Sequence, residues 1–415
     1  MDDPGPVHNR PSSIDWRRNV AAIWVSQFTV VFGFSFVLPF LPIYLHNDLG
    51  VRNASSLALW SGVVIGANGL SIAIVNPIWG MVADRWGRKQ MVVRAMLGGA
   101  LAVALMGMVV SPMQLLATRF LQGTVSGTIP ASTALIVSET PQPKVARALG
   151  LSSSGVALGR TLGPLAGGVL AAIFTLRHVF LATAILIVFA TILVILGVRE
   201  SPRARDGKRM GLRDLRQAGG GVALAVGIVI AAQGLFQFSF SATQQLLVLR
   251  LLAFNPDQAQ VITGIAFGIA GAATIVSSAT YWLAVERVGY RRLAILGGVL
   301  LAASILGLAV APSTTWLIGA AAAASLVFGG LFPTLNSTLG LEVPAALRGT
   351  LFGISASSTY IGMSAGPLMS GVVASIVGIQ AGLITAASAA VIAFALIALA
   401  GREPAAARPS AAPAG

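Results

Sequence analysis

The chain has 415 residues, 56% of them apolar and only 10% charged, with a mean hydropathy of +0.84 and a formal net charge of +14. Soluble domains carry about 25% charged residues, so this composition excludes a soluble enzyme, a disordered chain and a coiled coil, and marks an integral membrane protein. Cysteine is absent, and the three histidines (His8, His46 and His178) fall in polar connecting segments, which leaves no disulfide, no thiol nucleophile and no histidine metal site.

A helix needs about 20 apolar residues to cross a bilayer. Twelve segments qualify: 19–45, 58–83, 90–110, 113–138, 147–174, 178–198, 219–250, 259–284, 291–312, 314–341, 348–375 and 378–400. They are continuously apolar rather than alternating, which predicts helices and not barrel strands. Residues 1–18 and 401–415 read as tails. The run 199–218 is the only long charged stretch inside the chain, and it divides an N-terminal half, 19–198, from a C-terminal half, 219–400.

The basic residues set the expected orientation. Arg17, Arg18, Arg85, Arg88, Lys89, Arg94, Lys144, Arg147, the seven basic residues of the central loop, Arg287, Arg291, Arg292, Arg348 and Arg402 fall on one side. The other side has only Arg52, Arg177 and Arg250. Lys and Arg favour the cytoplasmic face, so both termini and the central loop are expected there, in a multi-pass membrane protein. The +14 charge then reflects topology and contact with lipid headgroups, not nucleic-acid binding.

The two halves are homologous. Pro130 and Pro333, Glu139 and Glu342, and Gly163-Pro164-Leu165 and Gly366-Pro367-Leu368 are each 203 residues apart; Asp84 and Glu286, and Gly87 and Gly289, are 202 apart. Such a parallel repeat predicts an all-α membrane fold of twelve transmembrane helices in two six-helix halves around a central cavity.

Four groups of residues carry the functional reading. After the second segment comes GMVADRWGRKQ, with Gly80, Asp84, Gly87, Arg88 and Lys89; its weaker copy, LAVERVGYRR, holds Glu286, Gly289 and Arg291. Segment 4 holds Arg119, Gln122, Gly123 and Gly127. Segment 5 reads GVALGRTLGPLAGG, where Gly155, Gly159, Gly163 and Gly167 recur every fourth residue beside Pro164 and Arg160. Segment 11 repeats that stripe through Gly362, Gly366 and Pro367. A stripe of this spacing lets a second helix pack closely, and both stripes are expected to meet the opposite half. Charge inside the membrane is costly and usually functional, so Arg119 and Arg160 are candidate coupling or binding residues; an arginine can also snorkel to the headgroups. Asp84, Arg88 and Glu139 are expected to cluster at the cytoplasmic helix ends, mirrored by Glu286, Arg291 and Glu342. Polar candidates for the cavity are Gln27, Asn68, Gln122, Gln233, Gln237, Asn336 and Tyr360, each of which could equally be interhelical glue.

The segment 2–3 loop resembles the signature loop of the major facilitator superfamily, and the segment 5 text is similar to the motif of its twelve-helix bacterial drug:proton antiporter branch. That resemblance implies a monomeric secondary exporter of small organic molecules, proton-coupled and working by alternating access, with Arg119 implicated in coupling. A uniporter or symporter for sugars or metabolites is the alternative on the same fold. No Walker or Rossmann sequence is present, so no cofactor and no catalysis are expected. None of the thirteen acids falls mid-helix, which favours anionic, zwitterionic or neutral substrates over lipophilic cations.

Overall fold

A computed structural model of the chain describes residues 15–200, 220–343, 348–401 and 403. Backbone groups in hydrocarbon must be satisfied within their own segment, and among the described residues the regular structure is helical. The helices are α1 (Trp16–Val37), α2 (Leu41–Asn47), α3 (Ala54–Trp86), α4 (Arg88–Met108), α5 (Pro112–Val125), α6 (Thr128–Glu139) and α7 (Val145–Ile173). They continue as α8 (Leu176–Gly197), α9 (Gly220–Phe254), α10 (Ala259–Val288), α11 (Tyr290–Ala309), α12 (Thr314–Glu342), α13 (Arg348–Ile376) and α14 (Ile379–Ala400). Joined pairs α1–α2 and α5–α6 each make one crossing, which gives the twelve spans.

Side-chain caps start several helices where the first N–H groups lack partners. Asp15 accepts from the Arg17 N–H, Ser111 from Gln114 and Ser313 from Trp316. At Gly87 and Gly289 the backbone takes φ of +95° and +86°, a region closed to most L residues, so the sharp turns into α4 and α11 depend on glycine.

Segment 4 departs from expectation. The sequence predicts one helix over 113–138, whereas the chain breaks at Ser126–Gly127, with Gly127 at φ +125°. The break frees carbonyls, and other helices satisfy them: Trp79 Nε1 donates to Thr124 O at 2.6 Å, Arg94 Nη2 to Ser126 O at 3.4 Å, and Gln27 Nε2 to Thr128 O at 3.1 Å. Donors from three separate helices hold the discontinuity open, which no local pattern could announce.

Each half repeats one plan. In the first, α1 packs on α6, α7 and α8, and α4 on α8; in the second, α9 packs on α12, α13 and α14, and α11 on α14. Between halves, α3 meets α13 and α7 meets α10. An added Cβ on Gly168 would lie 2.6 Å from Gly264 Cα, and one on Gly371 would lie 2.9 Å from Gly62 Cα. These approaches run from Ala58 and Gly371 down to Gly69 and Ser364 on one side, and from Gly168 and Gly264 to Thr161 and Gly271 on the other. All lie in the part of the bundle away from the termini. Toward the termini, Gly150 of α7 and Gly353 of α13 are exposed, and an added Cβ on either would meet nothing within 4 Å. The protein is therefore closed at one end and parted at the end bearing its termini.

Candidate transport pathway and gating network

The closed seam is built from backbone contact and a few polar clasps. Ser364 Oγ donates to Gly66 O at 2.6 Å across the halves. Gln245 of α9, 3% exposed, reaches both sides of the α3–α13 contact: its Nε2 donates to Pro367 O at 2.9 Å and its Oε1 accepts from the Gly62 N–H at 3.0 Å.

The glycine stripes behave differently from expectation. Added Cβ atoms on Gly155, Gly159, Gly163 and Gly167 would strike Trp24, Phe28, Phe32 and Phe36 of α1, mostly their backbones, and that on Gly163 would lie 2.7 Å from Phe32 O. Gly362 and Gly366 press on Gly234 and Phe238 of α9. Both stripes therefore pack inside their own half. The seam uses the neighbouring faces of α7 and α13, through Thr161, Leu165 and Gly168 and through Ser364, Pro367 and Gly371. A four-residue glycine period records that some helix comes close, and carries no mark of which one.

Just past the last seam contacts, where the halves part, Arg160 is exposed and sits near enough to Tyr360 of α13 for their charges to interact. Two sequence candidates from opposite halves thus lie near one another at the head of the cleft. Arg119, by contrast, is 4% exposed. Its Nε donates to Val64 O at 3.4 Å and its Nη1 to Gln122 Oε1, which also accepts from Asn68 Nδ2 at 3.5 Å. The charge is held by the α3 carbonyl of Val64 and by the Gln122 amide oxygen of its own helix, and does not snorkel.

Gln27 and Gln233 are buried glue. Gln27 bridges α1 to α6 through Thr128 and Ser132, and Gln233 joins Asn336 of α12, at 3.0 Å, to Ser355 of α13. Gln237 is half-buried. Sequence reading missed the aromatic ladder on α1: Trp24, Phe28, Phe32 and Phe36 run at ring separations of 5.6–5.8 Å, the first three half-buried.

At the helix ends near the termini, Arg88 Nη1 donates to Ala134 O of α6 at 2.7 Å, tying the 2–3 turn to that helix. Asp84 and Gly80 lie outside the described side chains. In the second half the corresponding cation is placed differently. Arg291 instead donates to Ile397 O and Ala398 O at the end of α14, at 3.5 and 2.6 Å, while Glu286 is exposed. The register explains this: at the 202-residue offset Arg291 matches Lys89, whose Nζ donates to Ile195 O of α8 at 2.7 Å, and Tyr290 stands where Arg88 does.

Two acids assigned by sequence to the loop and tail prove structural. Glu200 accepts from the N–H groups of Arg88 and Lys89 at 2.9 and 3.0 Å, and Glu403 from those of Tyr290 and Arg291 at 2.7 and 3.0 Å. Each carboxylate caps the positive end of a helix dipole, and the turning glycine makes room for it. The separation of Glu200 and Glu403, 203 residues, was the available signal.

The sequence matches the Major Facilitator Superfamily over residues 23–285 and again over 227–415. The chain belongs to this superfamily. It is a multi-pass membrane transporter and not an enzyme. It is 32% identical over 378 residues to "Multidrug resistance protein MdtG" of Salmonella arizonae, covering 89% of this chain and 91% of that one, and 31% identical over 379 residues to the Escherichia fergusonii protein of the same name, with the same coverage. Among solved structures, a bacterial homologue of the human lysosomal transporter Spinster, inward-facing and occupied, superposes with a TM-score of 0.76 at 16% identity, over 95% of this chain and 98% of that one. The human organic anion transporter MFSD10 gives 0.66 at 19%, over 92% and 100%. Both likenesses concern the fold.

Proposed function

We propose that the protein exports drugs and other small organic molecules from the cytoplasm by alternating access, driven by the proton gradient, and that anionic, zwitterionic or neutral compounds are preferred. The observation that carries this reading is the exposed Arg160, near Tyr360 at the head of a cleft open toward the termini, with a second cation, Arg119, buried in the same half. The described carboxylates sit at helix ends, so none offsets these charges within the spans. An electropositive cavity in low dielectric repels a lipophilic cation. The aromatic ladder of α1 supplies an apolar wall for planar, lipophilic substrates.

Multidrug resistance in the relatives' name supports the substrate class, and the excess of basic residues on the termini side supports a cleft open toward the cytoplasm. In this reading both termini are cytoplasmic, the chain works as a monomer, residues 19–198 and 219–400 rock as two bodies, and Asp84 or the substrate's own titration carries the proton. The test is efflux from a pump-deleted host using a panel matched for size and differing in charge, repeated in vesicles with and without a pH gradient. Export unaffected by collapsing the gradient would refute proton coupling. Robust export of a quaternary ammonium dye alone, persisting in Arg119→Ala, would refute the charge preference.

A further inference from the structure

Outside the pathway, a groove of about 900 Å³ opens on the flank of the N-terminal half, between α3, α4 and the end of α8. Its walls include Trp79, Lys89, Arg94, Leu97, Leu101 and Ile195. Leu97 and Leu101 are 45% and 58% exposed. On an outer helix of a membrane bundle, such side chains face acyl chains.

Arg94 lies six residues into α4, about 9 Å along the helix axis from its start at Arg88. That depth is just below the headgroups. Its guanidinium stacks on Trp79 at 3.4 Å, and its Nη2 gives one hydrogen bond to the freed carbonyl of Ser126. Its Nε and Nη1 are buried and have no partner. A guanidinium with unmet N–H groups at the membrane edge is costly, and among the described residues no acidic side chain lines the groove to meet them. Lys89 adds a second positive charge nearer the mouth, and Trp86, 65% exposed, flanks it as interfacial tryptophans do.

We propose that this groove binds an anionic phospholipid from the leaflet on the termini side, with the lipid phosphate taken by Arg94 and its acyl chains laid along Leu97 and Leu101. Two cations without a carboxylate select a net negative headgroup over a zwitterionic one. The apolar wall selects a lipid over free phosphate. Binding would also brace the break in segment 4, since Arg94 clasps Ser126 there. The inference rests on the chain's membrane placement and not on the direction or coupling of transport, so it can fail while the export reading stands.

The experiment is native mass spectrometry and thermal melting of the delipidated full chain in detergent. It is titrated with phosphatidylglycerol, with phosphatidylcholine of the same chains, and with inorganic phosphate. Wild type should bind phosphatidylglycerol about tenfold more tightly than phosphatidylcholine and melt higher with it, while phosphate alone leaves melting unchanged. Arg94→Gln should lose that roughly tenfold preference, the scale of one charge-assisted contact. Should Arg94→Gln fold poorly, Leu97→Trp, which fills the groove from an exposed position, should weaken both lipids and keep the lipid-free melting point. Equal binding of the two lipids by wild type would overturn the proposal. So would an unchanged preference in Arg94→Gln, undiminished binding in Leu97→Trp, or equal stabilisation by phosphate alone.

Discussion

Gly168→Val tests whether the observed seam is one of two alternating states. In this conformation a Cβ on Gly168 would lie 2.6 Å from Gly264 Cα and 3.3 Å from Gly264 N. Ordinary contact begins near 3.5 Å, so α7 and α10 must separate by about 1 Å locally. Both offending atoms are backbone, which cannot rotate away. Overpacking of this kind costs about 1–3 kcal/mol, and the cost falls only on the closed seam, because the opposite state parts these helices. The equilibrium should therefore shift about 5- to 150-fold toward the state open at the end away from the termini. The natural absence of cysteine makes the assay clean. Thr161→Cys sits at the seam against Gly271, and an impermeant maleimide added from the outer side reaches it only when the seam opens. Labelling should rise at least fivefold in Gly168→Val. Unchanged labelling in a normally inserted protein would falsify the two-state seam.

Gly163→Leu should act differently: its clash is with α1 inside one half, so loss of expression or melting temperature is expected without a change in Thr161→Cys labelling. Glu200→Gln and Glu403→Gln each weaken a helix cap and should lower stability by about 0.5–2 kcal/mol, read as a fall in melting temperature similar for the two if the halves are equivalent. Gln233→Leu orphans Asn336 and Ser355 and should cost about 1–3 kcal/mol per orphaned group, measured the same way. Asp48, at the outer end of α2, has its carboxyl pKa raised by burial, with Arg177 at 3.8 Å offsetting only part of the cost. A folded pKa above the unfolded one contributes stability at low pH that is lost as pH rises through the carboxylate range. Asp48→Asn should therefore gain on wild type in melting temperature as pH climbs from acid to neutral; a gain that shrinks with pH would contradict the assignment.

The spans and the repeat were legible because hydropathy and a near-constant offset are properties of the chain alone. The same offset makes Glu200 and Glu403 a pair, a signal hidden by reading charged tails as solvated. Segment 4 was not legible as a broken helix: Ser126 and Gly127 are ordinary helix text until Trp79, Arg94 and Gln27 arrive from other helices to satisfy the freed carbonyls. The partner of the glycine stripe was equally out of reach, since Gly155 through Gly167 would show the same period against α1 or α10. Arg119 and Arg160 looked alike in sequence, two cations in apolar text. The fold separates them into one that is buried and bound to two oxygens and one that faces the cleft.

That separation sets the most discriminating expectation about substrate charge. Arg119 is locked by Val64, Gln122 and Asn68, so its removal disturbs structure and charge together. Arg160 is exposed, so Arg160→Gln changes the field in the cleft with little structural cost. A substrate charge about 6 Å from the guanidinium feels roughly 0.7 kcal/mol if bulk water screens the pair and roughly 3 kcal/mol at the effective dielectric of a protein surface. Those bounds correspond to about a 3- to 100-fold change in relative affinity. Arg160→Gln should raise the apparent KM for an anionic substrate and lower it for a permanent cation, leaving a neutral one within about twofold, all measured in vesicles at fixed pH. Added salt should shrink the difference if the cleft is water-filled. If anion and cation moved together, Arg160 would be acting through packing and the electrostatic account of selectivity would fail; if only the maximal rate moved, Arg160 would belong to the conformational step and not to recognition.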